Sequence, residues 1–169
     1  VVARLCYEKK TKIDKIKLNY QRYLRIQKSH EISPELKSIL QSIKLPQLWI
    51  ALTEDWCDDS GLTLPFLVKM MEVNSLLQLK FILRSENLDI MDLYLTEGKR
   101  SIPKVIAFDA NGRELFRWGP RPTYAQLFFE ERLLEGMDRA EAKERLYSWM
   151  AKDQGKALEK EFLEILVKY

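Results

Sequence analysis

The stretch that decides the fold lies at residues 56–65 and reads Trp-Cys-Asp-Asp-Ser-Gly-Leu-Thr-Leu-Pro. It follows the run Gln-Leu-Trp-Ile-Ala-Leu-Thr at residues 47–53, a pattern typical of a strand buried on both faces of a parallel sheet. The pattern after it predicts a helix from about Cys57 to Val73. Backbone N–H groups and the helix dipole stabilise a thiolate at a helix start. The sequence therefore predicts a candidate thiol site at this strand-to-helix turn.

Composition points to one ordinary globular domain of 169 residues, with 46% hydrophobic and 31% charged residues. No apolar run approaches the roughly 18 residues that a membrane helix needs, and nothing at residues 1–7 reads as a secretory signal. The two cysteines, Cys6 and Cys57, are few for a disulfide-stapled secreted chain. We therefore expect a cytoplasmic protein without a membrane partner.

The N-terminal segment is strongly basic, since residues 1–30 carry nine Lys or Arg against Glu8 and Asp14. A helix over residues 9–28 is predicted, with its basic face in solvent. The apolar residues that recur at helical spacing should face the core: Ile13, Ile16, Tyr20, Tyr23 and Leu24. A nucleic-acid contact is the weaker interpretation of the basic face.

Turn and cap residues divide the rest of the chain. Ser33 and Pro34 begin a second helix that stops at Pro46. Strands are predicted at residues 78–84, 103–109 and 113–118, the last two as a hairpin around Gly112. Helices follow over residues 87–95, from Pro122 to about residue 136, and from residue 138 to the end, with a break at residues 153–155. A strand, helix and strand with this connection length imply a right-handed parallel crossover.

Two short motifs resemble the thioredoxin family. Trp56-Cys57 is similar to the Trp-Cys entrance of its active-site motif, and Pro65 lies eight residues after the cysteine, as the family's helix-kinking proline does. Ile102-Pro103 resembles the cis-proline loop. In that family the loop leaves a backbone edge open to an extended peptide or to glutathione.

The resemblance extends over nearly the whole chain. Gly119 lies sixteen residues after the proline of that loop, where the family has a glycine. The segments at residues 54–57, 100–104, 118–122 and 151–155 resemble a group of uncharacterised bacterial thioredoxin-like proteins. The implied fold is α/β: a four-stranded mixed sheet with helices on both faces. The implied organisation is an N-terminal helical extension (1–45), a thioredoxin-like domain (46–136) and a C-terminal helical extension (137–169).

Two positions depart from the dithiol members of the family. Ser60 stands where the second cysteine would be, and Ala51 stands where a buried aspartate would accept a proton. A serine hydroxyl cannot resolve a mixed disulfide, so the motif cannot run a dithiol cycle by itself. Two alternatives stay open: monothiol chemistry with glutathione or a partner's thiol, and the absence of any redox chemistry. The sequence therefore does not decide whether the protein is an enzyme. Cys6 is a minor candidate for a resolving thiol.

Charges around the thiol bear on its acidity. Four carboxylates flank Cys57 in the sequence: Glu54, Asp55, Asp58 and Asp59. Like charge disfavours a thiolate, so we expect a thiol less acidic than that of a dithiol thioredoxin. The fold should bring Arg84, Arg100 and Arg121 to the same rim. Salt bridges to these carboxylates are favoured over anion binding for the three arginines.

The candidate site thus comprises Cys57, its motif neighbours Trp56, Asp58, Asp59 and Ser60, the groove residues Ser101, Ile102, Pro103 and Gly119, and the three arginines. Trp56 is expected to shield the cysteine. A metal on three adjacent motif residues is disfavoured, because they would have to converge on one ion. The leading hypothesis is monothiol thiol–disulfide exchange through Cys57 with a protein thiol or glutathione, and the alternative is a non-catalytic peptide- or protein-binding module.

Overall fold

The computed structural model describes the backbone of residues 2–169 and the side chains from residue 10 onward. The side chain of Cys6 lies outside the described residues. Within this range residues Arg84–Glu86 form a short 3-10 turn. The elements follow in the order α1 (Val2–Ser29), α2 (Pro34–Ser42), β1 (Gln47–Thr53), α3 (Asp58–Met71), β2 (Leu77–Leu83), α4 (Leu88–Asp92), β3 (Lys104–Asp109), β4 (Glu114–Trp118), α5 (Thr123–Leu134), α6 (Arg139–Asp153) and α7 (Lys156–Leu166).

The four strands form one mixed sheet in the order β2-β1-β3-β4. Strand β1 pairs in parallel with β2 and antiparallel with β3, and β3 pairs antiparallel with β4. The apolar run at residues 47–53 gives β1 because alternate side chains must be buried on both of its faces. The predicted α/β class and four-stranded mixed sheet are confirmed. The N-terminal segment adds no strand, because residues 2–29 form α1.

Helices cover both faces of the sheet. On one face, Trp49 of β1 packs with Leu67 of α3 and Phe162 of α7 in the larger core. On the other face, Leu52 of β1 packs with Met91 of α4 and with Cys57. Residues 49 and 52 lie on opposite faces because side chains alternate along a strand. The thiol therefore belongs to the smaller core, beneath α4.

The orientation predicted for α1 is wrong for four of the five apolar residues, and Ile16 is half-buried. Ile13, Tyr20 and Leu24 are 50%, 62% and 47% exposed, and Tyr23 is exposed as well. The face toward the domain carries Lys12, Lys15, Asn19, Arg22 and Ile26, which recur every three or four residues. The helix is rotated because carbonyls and carboxylates at the start of α3 need partners that apolar side chains cannot supply.

Two other helices also leave large apolar residues exposed. Tyr124 and Leu127 of α5 are exposed, and Ala125 and Phe129 are its buried residues. Helix α4 spans five residues and ends before Leu95, which is exposed. Small residues such as Ala125 let helices approach closely, a role that a search for large apolar residues does not detect.

The C-terminal helices begin and break where the sequence predicts. Asp138 caps α6, its side chain accepting hydrogen bonds from the backbone N–H groups of Ala140 and Glu141. The chain turns between α6 and α7 through Gln154 and Gly155, both at positive φ. A Cβ at Gly155 would lie 2.5 Å from the Phe66 ring, so glycine permits the close approach of this turn to α3.

A buried polar contact joins the end of α1 to α7. His30 Nε2 lies 2.7 Å from Glu159 Oε1, and the Ser33 backbone N–H donates to Glu159 Oε2 at 3.1 Å. Burial by itself raises the pKa of Glu159, but the hydrogen bonds from His30 and Ser33 outweigh it and hold that pKa below its usual value. The carboxylate therefore stabilises the folded chain in its charged form.

Replacing Glu159 with glutamine should lower the free energy of unfolding by about 2 kcal/mol at neutral pH, because the buried donors lose a charged acceptor. A depressed carboxyl pKa contributes stability that is present above the unfolded value and lost as the pH falls through the folded value. Urea unfolding at several pH values should show the wild-type advantage shrinking below about pH 4.5. An advantage that is independent of pH would contradict this assignment.

Candidate functional site

Cys57 is the N-cap of α3, and its carbonyl accepts a hydrogen bond from the Gly61 N–H at 3.0 Å. Its side chain is only 8% exposed and packs with Leu52, Met91 and Ile102. The thiol Sγ lies 3.5 Å from the Ile102 carbonyl oxygen, to which it donates. The structure thus places the cysteine against the loop that carries Pro103.

The acidity of the thiol is set chiefly by its burial. Burial raises the pKa of Cys57, and the negative charge of Asp59 raises it further. Hydrogen bonds from Ser60 oppose this rise without cancelling it. The sequence-based expectation named the flanking carboxylates as the cause, whereas desolvation is the larger effect. At neutral pH this environment favours the protonated thiol.

Ser60 replaces the second thiol with a fixed polar contact. Its hydroxyl accepts a hydrogen bond from Thr53 Oγ1 at 2.7 Å, and both side chains are buried. Ala51 lies on β1, the strand that carries Thr53; it is fully buried and offers no proton acceptor. Among residues with described side chains, Cys57 is the one cysteine. No second thiol is therefore placed beside it in this part of the chain.

Asp58 holds α1 onto the motif. Its carboxylate lies 2.9 Å from Lys15 Nζ and 3.1 Å from Arg22 Nη1. Asn19 Nδ2 donates to the carbonyls of Asp55 at 2.9 Å and Cys57 at 3.0 Å. The basic face of α1 is therefore partly a docking face for the motif. Sequence reasoning missed Asn19, because a single polar residue inside a helical pattern gives no signal of a tertiary contact.

Asp59 holds the other side of the motif. Its Oδ2 accepts a 2.6 Å hydrogen bond from Arg121 Nη2, and both side chains are about nine-tenths buried. Burial raises the pKa of Asp59, and the Arg121 guanidinium opposes that rise. Burial also raises the pKa of Tyr147 in α6, with Asp59 and Asp58 adding to the effect. Helix α6 therefore lies close to this end of the motif.

The other two predicted arginines pair elsewhere. Arg100 forms a two-pronged ion pair with Asp92, at 2.6 and 2.8 Å. Arg84 Nη1 donates to the Arg100 carbonyl at 3.1 Å, and its Nε lies 4.0 Å from Glu54. The structure thus brings Arg84 and Arg121 to motif carboxylates but directs Arg100 toward α4.

Trp56 is half-buried between two cations. Lys12 Nζ lies 5.3 Å and Arg84 Cζ 5.7 Å from the centre of one of its rings. Such cation–π contacts hold the indole between α1 and the end of β2. These contacts help to hold α1 against the domain, and they give Trp56 a structural role rather than a chemical one.

The loop at Pro103 is built against Gly119. The Ile102–Pro103 and Gly119–Pro120 peptide bonds are both cis. A Cβ at Gly119 would lie 2.3 Å from the Pro103 carbonyl oxygen, and this glycine has φ +106°. The start of β3 and the end of β4 therefore approach closely at this point only because residue 119 is glycine.

The strand order, the helix-start cysteine and the Pro103 loop together define a protein of thioredoxin-like fold. The model of the thioredoxin family matches residues 8–145, so the chain belongs to the thioredoxin family. A comparison with curated proteins gives no significant match. Within residues 2–169, no helix is long and apolar enough to cross a membrane.

Two solved structures share the fold. An HIV epitope-scaffold crystal structure is 19% identical, with a TM-score of 0.65, over 94% of this chain and 86% of that chain. A protein of unknown function from Pseudomonas aeruginosa is 20% identical, with a TM-score of 0.60, over 94% of this chain and 85% of that one. At these identities the similarity concerns the fold alone.

The buried thiol should react slowly. In a Cys6→Ser background, iodoacetamide should alkylate Cys57 at neutral pH roughly tenfold more slowly than an exposed cysteine in a short peptide. Because the pKa of Cys57 is raised, the rate should still be increasing at pH values where an ordinary thiol has reached its plateau. The urea-unfolded variant serves as control and should react at the peptide's rate. A fast reaction with a plateau below neutral pH would contradict this result.

Proposed function

We propose that this chain is a peptide-binding member of the thioredoxin family, in which the cis-proline loop binds an extended segment and Cys57 is not the reacting group. The observation that carries the proposal is the burial of Cys57 as a thiol of raised pKa. A nucleophilic cysteine needs an exposed thiolate. Asp58 and Asp59, which follow it in the sequence, serve as anchors for α1 and Arg121.

The peptide would pair with the backbone at Ser101 and Ile102. The Ser101 N–H is bonded to the Lys99 carbonyl, whereas the Ile102 N–H has no acceptor among the described residues. An unpaired backbone donor next to a groove is the feature that β-strand addition uses, since main-chain hydrogen bonds supply affinity. The Ile102 carbonyl lies beside Cys57 Sγ, so a bound segment would pass over the motif.

Short cysteine-free peptides selected by display on the full chain test the proposal. We expect selected peptides to bind wild type and Cys57→Ser alike and to shift the NMR amide signals of Ser101 and Ile102. Shifts confined to β2, whose free edge could also add a strand, would contradict binding at the cis-proline loop. If a parallel library that includes cysteine yields binders while the cysteine-free library yields none, a non-catalytic role is contradicted.

Monothiol exchange is the second candidate, because Cys57 is the N-cap of the 14-residue helix α3 and receives hydrogen bonds from Ser60. Both features favour a thiolate. Incubation of the Cys6→Ser variant with glutathione disulfide, followed by intact mass measurement, tests this candidate. A glutathione adduct that forms within minutes at neutral pH would favour exchange over the binding role.

A further inference from the structure

A basic cleft of about 260 Å³ adjoins the cis-proline loop. It lies between the turn at residues 96–101 and the segment at residues 119–123, which joins β4 to α5. We infer that this cleft is an anion subsite that receives an acidic side chain of the bound peptide. The inference deepens the proposed function and rests on it for the identity of the ligand.

Three cations line the cleft: Lys99, Arg121 and Arg139. The guanidinium groups of Arg121 and Arg139 each lie 5.4 Å from the centre of the Phe129 ring, on which both pack. Asp59 neutralises Arg121. Lys99 and Arg139 form no ion pair with any of the described residues, so the cleft keeps an excess of positive charge.

The position of Arg139 supports a role for this residue in binding an anion. It is the first residue of α6, where the helix dipole favours negative charge and disfavours a cation. The capping carboxylate of Asp138 is occupied by the backbone N–H groups of Ala140 and Glu141. The helix dipole therefore disfavours an arginine at this position, whereas the contact with Phe129 and an anion in the cleft would both favour it.

A buried lysine contacts the cleft lining at Thr96. Lys104 is 8% exposed, and its Nζ donates to Thr96 Oγ1 at 3.1 Å, its one acceptor among the described residues. Burial and the charge of nearby Arg117 lower the pKa of Lys104. Glu97 is the one acid among the described lining residues, and it lies exposed on the outer turn.

The cleft and the peptide edge meet at Ser101. This residue lines the cleft and also precedes Ile102, whose N–H is free to pair with a peptide. A segment paired at this edge would carry alternate side chains toward the cleft, because side chains alternate along an extended chain. An Asp or Glu at such a position can form charge-assisted hydrogen bonds with Arg139 or Lys99.

The first arm of the test uses inorganic phosphate on the full chain. NMR titration should show saturable shifts of the Lys99, Gly119 and Arg139 amides that weaken as salt is added. The Lys99→Gln/Arg139→Gln double variant should bind phosphate about tenfold more weakly. The matched control is Arg145→Gln, an exposed arginine of the same helix, which should bind as wild type does. Equal shifts in the double variant, or none in wild type, would overturn the anion subsite.

The second arm uses the cysteine-free peptides selected on wild type. Changing their Asp or Glu residues to Asn or Gln should weaken binding about tenfold to wild type, but by less than twofold to the double variant. Equal binding of acidic and amide peptides would overturn the inference and leave the proposed function standing. If phosphate binds in the cleft but no peptide pairs at Ile102, the proposed function fails and the anion subsite stands without a peptide ligand.

Discussion

Gly119→Ala is expected to lower the free energy of unfolding by about 3 kcal/mol, because two costs add at this position. Residue 119 has φ +106°, which a residue with a Cβ adopts only with strain, and the new Cβ would lie 2.3 Å from the Pro103 carbonyl oxygen. That oxygen belongs to the backbone and cannot move like the end of a flexible side chain. The chain would have to separate β4 from the cis-proline loop.

Gly112→Ala is the matched control for this effect. Gly112 lies in the hairpin turn at φ +77°, and a Cβ there would have no neighbour within 4 Å. The control should cost only about 1 kcal/mol, for the backbone conformation alone. Urea unfolding of the two variants measures the difference. Equal losses would show that the contact with Pro103 contributes nothing to the cost.

Removing one partner of the buried Asp59–Arg121 pair is expected to have the largest effect in the motif. Asp59→Ala should lower the free energy of unfolding by about 4 kcal/mol, since it leaves the Arg121 guanidinium buried without its carboxylate. Asp58→Ala should cost less than half as much, because Lys15 is exposed enough to return to water and Arg22 keeps its hydrogen bond to Asn19 Oδ1.

A double variant separates the cost of an unpaired charge from a loss of packing. Asp59→Ala combined with Arg121→Met should recover at least half of the stability lost in Asp59→Ala, because no buried charge is then left without a partner. Chemical denaturation of all four members of the cycle gives the coupling energy. Strictly additive losses would contradict a stabilising role for the pair.

Sequence patterns predicted the framework well, since a buried strand and a helix stop leave local signatures. The run at residues 47–53 gave the bounds of β1, and Asp138 and residues 153–155 gave the start of α6 and its break from α7. The position of Cys57 at the start of α3 followed from the turn after β1. These features depend on residues that are close together in the chain.

The sequence could not supply what long-range contacts decide. The prediction of which face of α1 packs against the domain was wrong, because Asn19 and Arg22 bind a carbonyl and a carboxylate more than thirty residues away. The burial of Cys57 also depends on distant residues, here Met91 and Ile102. A spacing rule that follows apolar residues cannot anticipate a helix whose inner face is chosen by polar partners.

We propose that this member of the thioredoxin family binds peptides at the cis-proline loop without using the Cys57 thiol. Calorimetric titration of one selected cysteine-free peptide into wild type and Cys57→Ser tests it most directly, with urea unfolding to verify that the variant is folded. We expect dissociation constants that agree within about twofold, since the thiol forms no bond with the ligand. Binding that is lost in folded Cys57→Ser would contradict it.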